Sequence, residues 1–283
     1  MKLEENSVQF CFPLHNSSCV KDWRSFMEYI IMYTFLSTVS GLTVFFNLLV
    51  IISISHFKQL HTPTNLLILS LAVADLLTGL IVIPVEGLAF IETCWYFGDY
   101  FCTVFPIMMF TIFSGSHISI FLISLDRYIA VTDPFHYTVK VTFKRAVFCV
   151  SFGWFSSFIY ALAILNKRQA KIINTVTVRI KPEGKGTVPK TSETKAAKTL
   201  GVVIAVYFIC WIPYFIGSLI ADSVPYNSAV FVFMYWLLYT NSCMNPLMYA
   251  LFYPWFRISV KHILTLSMFN SSSSYLNVFP ERK

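Results

Sequence analysis

An acid and a base sit side by side at the end of one long apolar run, in Leu125-Asp126-Arg127-Tyr128-Ile129-Ala130-Val131. A second apolar run contains Asn245-Pro246-Leu247-Met248-Tyr249, and a third holds Asp75. An ionisable side chain within hydrocarbon costs about 3 kcal/mol or more, so one that persists there is expected to have a function. Asp126 and Arg127 together set an ion pair at a membrane surface. Pro246 removes an N–H and loosens the helix around Asn245 and Tyr249 where it must move. These groups offer movable charge and a helix hinge. Bond-making chemistry has no counterpart: there is no Cys-x-x-Cys and no His-Glu-x-x-His, and Gly184-Lys185-Gly186 lacks the spacing and the strand of a phosphate loop. The sequence does not read as an enzyme.

The elements that carry these groups are membrane spans. Apolar residues make up 56% of 283 and charged residues 12%, with a mean hydropathy of +0.65; a soluble domain carries roughly 25% charge. Runs of about 20 apolar residues, enough to cross a bilayer, occur near 29–54, 66–88, 103–125, 146–165, 200–221 and 230–251. In 252–266, Phe252, Phe256, Val260 and Ile263 share one helical face, with Arg257 and Lys261 elsewhere, which predicts a helix lying on the membrane surface. The expected organisation is an all-α, multi-pass helical bundle: residues 1–28 outside the cell, 29–251 in the membrane, and 252–283 as surface helix and cytoplasmic tail. The first 21 residues are polar and do not read as a cleavable signal.

Loop charge fixes orientation, because Lys and Arg accumulate on the cytoplasmic side. Lys58 marks the first loop as inside; Glu86, Glu92 and Asp99 mark the second as outside. Arg127, Lys140, Lys144 and Arg145 mark the third as inside. The loop 166–199 then carries nine basic residues and also reads as inside, although a single span separates it from the third. Six alternating spans would moreover leave both termini on one side. An internal deletion near 160–161 resolves the conflict, joining the start of one span (with Trp154) to the cytoplasmic end of the next. The span 146–165 is accordingly expected to be re-entrant or poorly packed, leaving Ser114 and His117 facing lipid. Asn16 is expected to be outside and glycosylated, and Asn270, in the same type of sequon, to be unmodified. Of seven cysteines, Cys11, Cys19, Cys94 and Cys102 fall on the outer side, with their pairing open.

The Asp-Arg-Tyr and Asn-Pro-x-x-Tyr motifs together resemble those of the rhodopsin-like G-protein-coupled receptors, which have seven spans. Leu60-His61-Thr62-Pro63-Thr64-Asn65, Ser70-Leu71-Ala72-Val73-Ala74-Asp75 and Thr93-Cys94-Trp95-Tyr96-Phe97-Gly98-Asp99 are similar to the trace amine-associated receptors of fish type. So are Lys195-Ala196-Ala197-Lys198-Thr199-Leu200-Gly201 and Tyr249-Ala250-Leu251-Phe252-Tyr253-Pro254-Trp255-Phe256-Arg257. The resemblance implies an amine receptor of the plasma membrane, olfactory in use, coupled to a stimulatory G protein and without nucleic-acid partners. It implies a sodium ion at Asp75, Ser116, Asn241 and Asn245 and no other metal or cofactor. It implies a switch made of Asp126, Arg127, Tyr128, Glu193 and Tyr249, with Glu193 reaching Arg127, and a pocket floor at Trp211, ahead of Pro213.

The resemblance also exposes departures. Met109 stands eighteen residues before Arg127, where the family holds the aspartate that anchors an ammonium. A thioether cannot neutralise a desolvated cation, so the amine ligand loses its usual partner. Trp236 and Tyr239, with Tyr214 and Phe215, offer cation–π contact worth about 0.5–2 kcal/mol in its place. Cys102 matches the family's disulfide cysteine, whose partner belongs to the absent outer loop. His117 and Tyr207 replace an aliphatic residue and Phe; His117 reads as a satisfied buried histidine or as a pH sensor. Three functions stay open: an amine receptor, a non-signalling remnant retained in the endoplasmic reticulum, and a transporter, the last without the repeats or broken helices it needs.

Overall fold

A computed structural model describes residues 11, 12, 18, 21, 24–171, 194–219, 229–269 and 273–279. Its helices in chain order are α1 (Phe26–His56), α2 (Pro63–Leu77), α3 (Ile83–Glu92), α4 (Gly98–Thr132), α5 (Tyr137–Lys140), α6 (Phe143–Lys171), α7 (Thr194–Leu219), α8 (Ala229–Phe252) and α9 (Pro254–Leu264). Over the described residues four stretches are long and apolar enough to cross a bilayer: α1, 63–92, α4 and Phe143–Ala163; α7 adds the shorter Ala205–Gly217. The fold is a helical membrane bundle. Many large apolar side chains point outward, among them Phe45, Leu80, Phe121, Phe152 and Phe233, as a lipid-facing surface requires.

Helix starts follow local chemistry. Ser25 and Glu28 form a reciprocal capping box at the head of α1, the Ser25 hydroxyl accepting from the Glu28 N–H at 3.2 Å and Glu28 accepting from the Ser25 N–H at 2.7 Å. Thr62 caps α2, with Pro63 in the first turn where its missing N–H is harmless. A π turn, Thr78–Val82, joins α2 to α3. In that geometry the Gly79 carbonyl would bond the N–H five residues on, and residue 84 is proline. Ser40 of α1 donates to that carbonyl at 2.8 Å instead. The extra residue of the π turn rotates everything after it by about 100°, which carries Glu86 toward the bundle.

Packing is set by close approaches. A Cβ on Gly115 would meet the Trp154 ring at 2.8–2.9 Å, so only glycine lets α6 lie on α4 there. Trp154 then donates through Nε1 to Ser70 Oγ at 3.1 Å, and Ser70 bonds Ser119 at 2.8 Å, tying α2, α4 and α6 together. At the inner end Leu49, Val50, Leu67, Leu71, Tyr249 and Trp255 form one core. The chain segment after α9 returns beneath α1, where Val278 is buried, Ser273 bonds His56 at 3.0 Å, and Lys58 lies 4.0 Å from the Tyr275 ring centroid.

Two expectations are corrected here. The surface helix begins at Pro254, after extended Tyr253; Phe252 belongs to α8 and is exposed, and the buried face of α9 is Trp255, Phe256, Ser259 and Ile263. Proline is well suited to the first turn of a helix, where its missing N–H is harmless. The span 146–165 does not turn back within its length: it lies within the uninterrupted α6 and meets α4 and α2, although it is the least buried of the four apolar stretches. Its only helix-weakening residue, Gly153, serves contact with Ile118. On the outer side Cys11 is joined to Cys94, Lys21 pairs with Glu92 at 2.6 Å, and Tyr33 donates to Glu92 at 2.5 Å. The hydrogen bond to Glu92 lifts the Lys21 pKa above its ordinary value, outweighing a smaller opposing effect of burial. Cys102 carries an exposed free thiol.

Candidate functional site

Three groups of side chains occupy successive depths of the bundle. At the inner end, Asp126 of α4 is 3% exposed and accepts four donors. Arg127 Nε reaches its Oδ2 at 2.9 Å, with Arg127 Nη2 on the same oxygen; Thr64 Oγ1 of α2 donates to Oδ2 at 2.9 Å and Tyr137 of α5 to Oδ1 at 2.7 Å. Arg127 also donates to Thr64 Oγ1 at 2.6 Å, and Thr64 and Tyr137 bond each other at 3.2 Å. The result is a closed cage holding Arg127 against its own helix. Tyr128 is not part of it, being 58% exposed on the outer surface. Thr64 and Tyr137 are the members that reading by motif misses. Only the four-residue α5, folded back under α2, reveals them. Glu193 lies outside the described residues, as do Asn16 and Asn270.

At mid-depth Asp75 is wholly buried. Asn245 Nδ2 donates to its Oδ2 at 2.8 Å and Ser116 Oγ to its Oδ1 at 3.4 Å. No cation among the described residues pairs with it. Asn241, also buried, keeps Oδ1 without a hydrogen bond, as does Asn47 of α1, whose Nδ2 donates to the Ser242 carbonyl at 3.0 Å. Tyr249 is buried with its hydroxyl unbonded and its ring 6.0 Å from Tyr253.

Above this lies an aromatic layer. Trp211 is buried; it meets Phe113 edge-on at 5.6 Å and His117 at 4.5 Å, and stacks on Tyr207 and Phe215, each at 5.7 Å. His117 is a satisfied ring, its Nδ1 bonded to the Phe113 carbonyl. Phe215 is 52% exposed. Met109 and Tyr214 pack instead on a second cluster with Ile112, Tyr235, Trp236 and Tyr239. Within it Tyr239 donates to Tyr235 at 3.1 Å, and Tyr235 donates to Glu86 Oε2 at 2.5 Å. Glu86 reads as a loop charge in the sequence; the π turn places it here. Beside α4 and α6 an open cleft of about 500 Å³ is lined by Phe110, Ser114, His117, Ser157 and Tyr160. Among the described residues no three His, Cys, Asp or Glu side chains gather as a metal site.

Comparison with known proteins accounts for this arrangement. The 7 transmembrane receptor (rhodopsin family) matches residues 46–180 and 169–249. Trace amine-associated receptor 13c of Danio rerio is 33% identical over 333 residues, covering 98% of each chain. Trace amine-associated receptor 6 of Pan troglodytes is 35% identical, covering 97% of each, and receptor 7c of Rattus norvegicus is 34% identical, covering 99% of this chain and 94% of its own. An alignment 333 positions long over 98% of a 283-residue chain leaves about 55 positions of the relative without a counterpart, the length of roughly two spans and a loop. The chain belongs to the rhodopsin family of seven-transmembrane receptors, in its trace amine-associated branch, a family of multi-pass plasma-membrane signalling receptors and not of enzymes.

Proposed function

We propose that this chain derives from a receptor that recognises an amine in the aromatic layer and passes the signal, through Asp75 and the Arg127 cage, to a stimulatory G protein in an olfactory setting. The observation that carries this is the Asp126–Arg127–Thr64–Tyr137 cage: a buried carboxylate with four donors is a bistable lock, since Arg127 is released only by breaking several charge-assisted bonds together. Asp75 fits a sodium ion. Its carboxylate has neutral donors only, and Asn241, a member of the set that the family resemblance implies, keeps a buried amide oxygen without a donor; oxygen ligands are what a hard cation takes. Sodium, when bound, supplies countercharge. Asn245 and Ser116 orient the Asp75 oxygens, and the buried walls exclude water.

A specific observation favours a second reading for the chain as it stands. The open cleft beside Phe110, Ser114 and His117, with Phe215 exposed, lies where a further helix would cover them, and about 55 aligned positions are missing. A ligand shifts an equilibrium only between states that exist. Without the element against which α7 swings, the chain binds but does not signal, and it is retained in the endoplasmic reticulum. Expression of this chain, and of one with the missing segment restored, beside a cyclic AMP reporter tests both readings. The restored chain should reach the surface and respond to simple amines, and this chain should do neither. A dose-dependent response by the 283-residue chain refutes the non-signalling reading; silence of the restored, surface-resident chain to every amine refutes the receptor reading.

A further inference from the structure

With Met109 in the place of the family's anchoring acid, an ammonium entering the aromatic layer needs a negative charge from elsewhere. Glu86 of α3 is the carboxylate that faces that layer. It is half-buried, and Tyr235 binds one of its oxygens at 2.5 Å while Tyr239 binds Tyr235. Its other oxygen accepts from no described residue, and no described Lys, Arg or His pairs with it. Arg24, 5.6 Å from the Phe90 ring centroid, bonds the Phe90 carbonyl instead. Glu92, one turn and a half further along, is already neutralised by Lys21. A carboxylate on a membrane helix with hydrogen-bond donors but no countercharge is costly, and a cationic ligand relieves that cost.

The surroundings suit an ammonium carried on an aromatic body. Phe90 stacks on Tyr235 at 4.8 Å, Tyr239 meets Tyr235 edge-on at 5.0 Å, and Trp236 meets Phe90 edge-on at 6.2 Å, so ring faces border the carboxylate and add cation–π attraction. Met109, a soft apolar side chain on the same cluster, receives the hydrocarbon end that an aspartate would repel. We propose that Glu86 is the anchoring acid of this chain, and that its ligand is a small arylalkyl primary amine whose ammonium binds the Glu86 oxygen that Tyr235 does not occupy. This rests on the amine-receptor reading above and names the residue that would make it work.

The test is equilibrium binding of tritiated 2-phenylethylamine to the full chain in lipid nanodiscs. Glu86→Gln should weaken binding about 30-fold or more, as loss of one partner of a desolvated charge pair does. Glu28→Gln, which keeps the α1 cap, should leave it unchanged. Glu86→Asp, which keeps the charge on a shorter arm, should move preference from 2-phenylethylamine to 3-phenylpropylamine, a shift that damage to the fold alone would not produce. This variant decides the matter if Glu86→Gln does not fold. Binding by the natural chain that survives Glu86→Gln, or an unaltered length preference in Glu86→Asp, overturns the Glu86 assignment alone. No amine binding by the natural chain overturns this assignment and the claim that the chain as it stands binds an amine, while the restored chain decides the receptor reading separately.

Discussion

Replacing Tyr137 by phenylalanine deletes one hydroxyl that donates to Asp126 at 2.7 Å and bonds Thr64 at 3.2 Å. Asp126 is 3% exposed, so water does not replace the donor. A hydrogen bond to a charged group is worth about 1.5–3 kcal/mol, which is the expected loss of stability. Thr64→Val removes the second donor, at 2.9 Å, together with an acceptor for Arg127, and should cost a similar amount. The Thr64–Tyr137 bond is lost in either single variant but only once in the double. The double variant should therefore fall short of the sum of the singles by about 0.5 kcal/mol or more. Reversible SDS unfolding of the purified chain in mixed micelles measures the cycle. Tyr128→Phe is the control: it alters the motif's own tyrosine, yet that side chain is 58% exposed and should change stability by no more than about 0.5 kcal/mol. Additivity of Tyr137→Phe and Thr64→Val, or a larger cost for Tyr128→Phe than for Tyr137→Phe, refutes the cage.

Gly115→Ala drives a methyl into the Trp154 ring at 2.8–2.9 Å and should cost about 1–3 kcal/mol in the same unfolding assay, with quenched tryptophan emission shifted to the red. Asp75→Asn should abolish the extra thermal stability that the natural chain shows in sodium over choline chloride, worth about 1.4 kcal/mol with sodium at ten times its dissociation constant; an equal sodium effect in both rules out the ion at Asp75. Hydrogen bonds from Lys140 and His136 hold the Asp133 carboxyl down at about 2, from an ordinary 3.8. A depressed carboxylate stabilises the fold above its unfolded pKa and fails as pH falls through the folded one. Backbone protection of 133–140 against hydrogen exchange should therefore persist through pH 3.8 and fail only near about 2, while Asp133→Asn should lack it throughout; loss at the ordinary aspartate value contradicts the pairing.

Length and apolarity make the long helices legible in the sequence, because hydrocarbon thickness leaves little freedom. Asp75, Asn245 and the Asp126–Arg127 pair are legible for a related reason: polar groups stand out where solvent cannot hide them. What the sequence hides depends on rotation and on short elements. One additional residue in the turn at Thr78–Val82 moves Glu86 from an outer loop, where its charge places it in the sequence, to a position facing Tyr235. A four-residue helix brings Tyr137 to Asp126, and no periodicity extends over four residues. The pairing of Cys11 with Cys94, 83 residues apart, is a tertiary fact with no local trace. The contradictory loop charges around 146–165 have the opposite character. They are plain in sequence, while the continuous α6 gives no hint of them.

Where the deletion falls explains how so much of the machinery survives it. The Asp75 surroundings come from α2, α4 and α8, and the Arg127 cage from α2, α4 and α5. The acid at Glu86 comes from α3 and its tyrosines from α8. All of these lie on the side of the bundle where α2 packs against α1, α4 and α8. The damage falls across the bundle, on the faces of α4, α6 and α7 that carry His117, Tyr160 and Phe215. Those faces carry aromatic contacts: Phe215 and Tyr207 stack on Trp211, and His117 meets it edge-on. A bundle of this kind can keep its binding groups and its lock while losing the coupling between them, because each is closed by its own hydrogen bonds and only the coupling requires a rigid surface for α7 to move against.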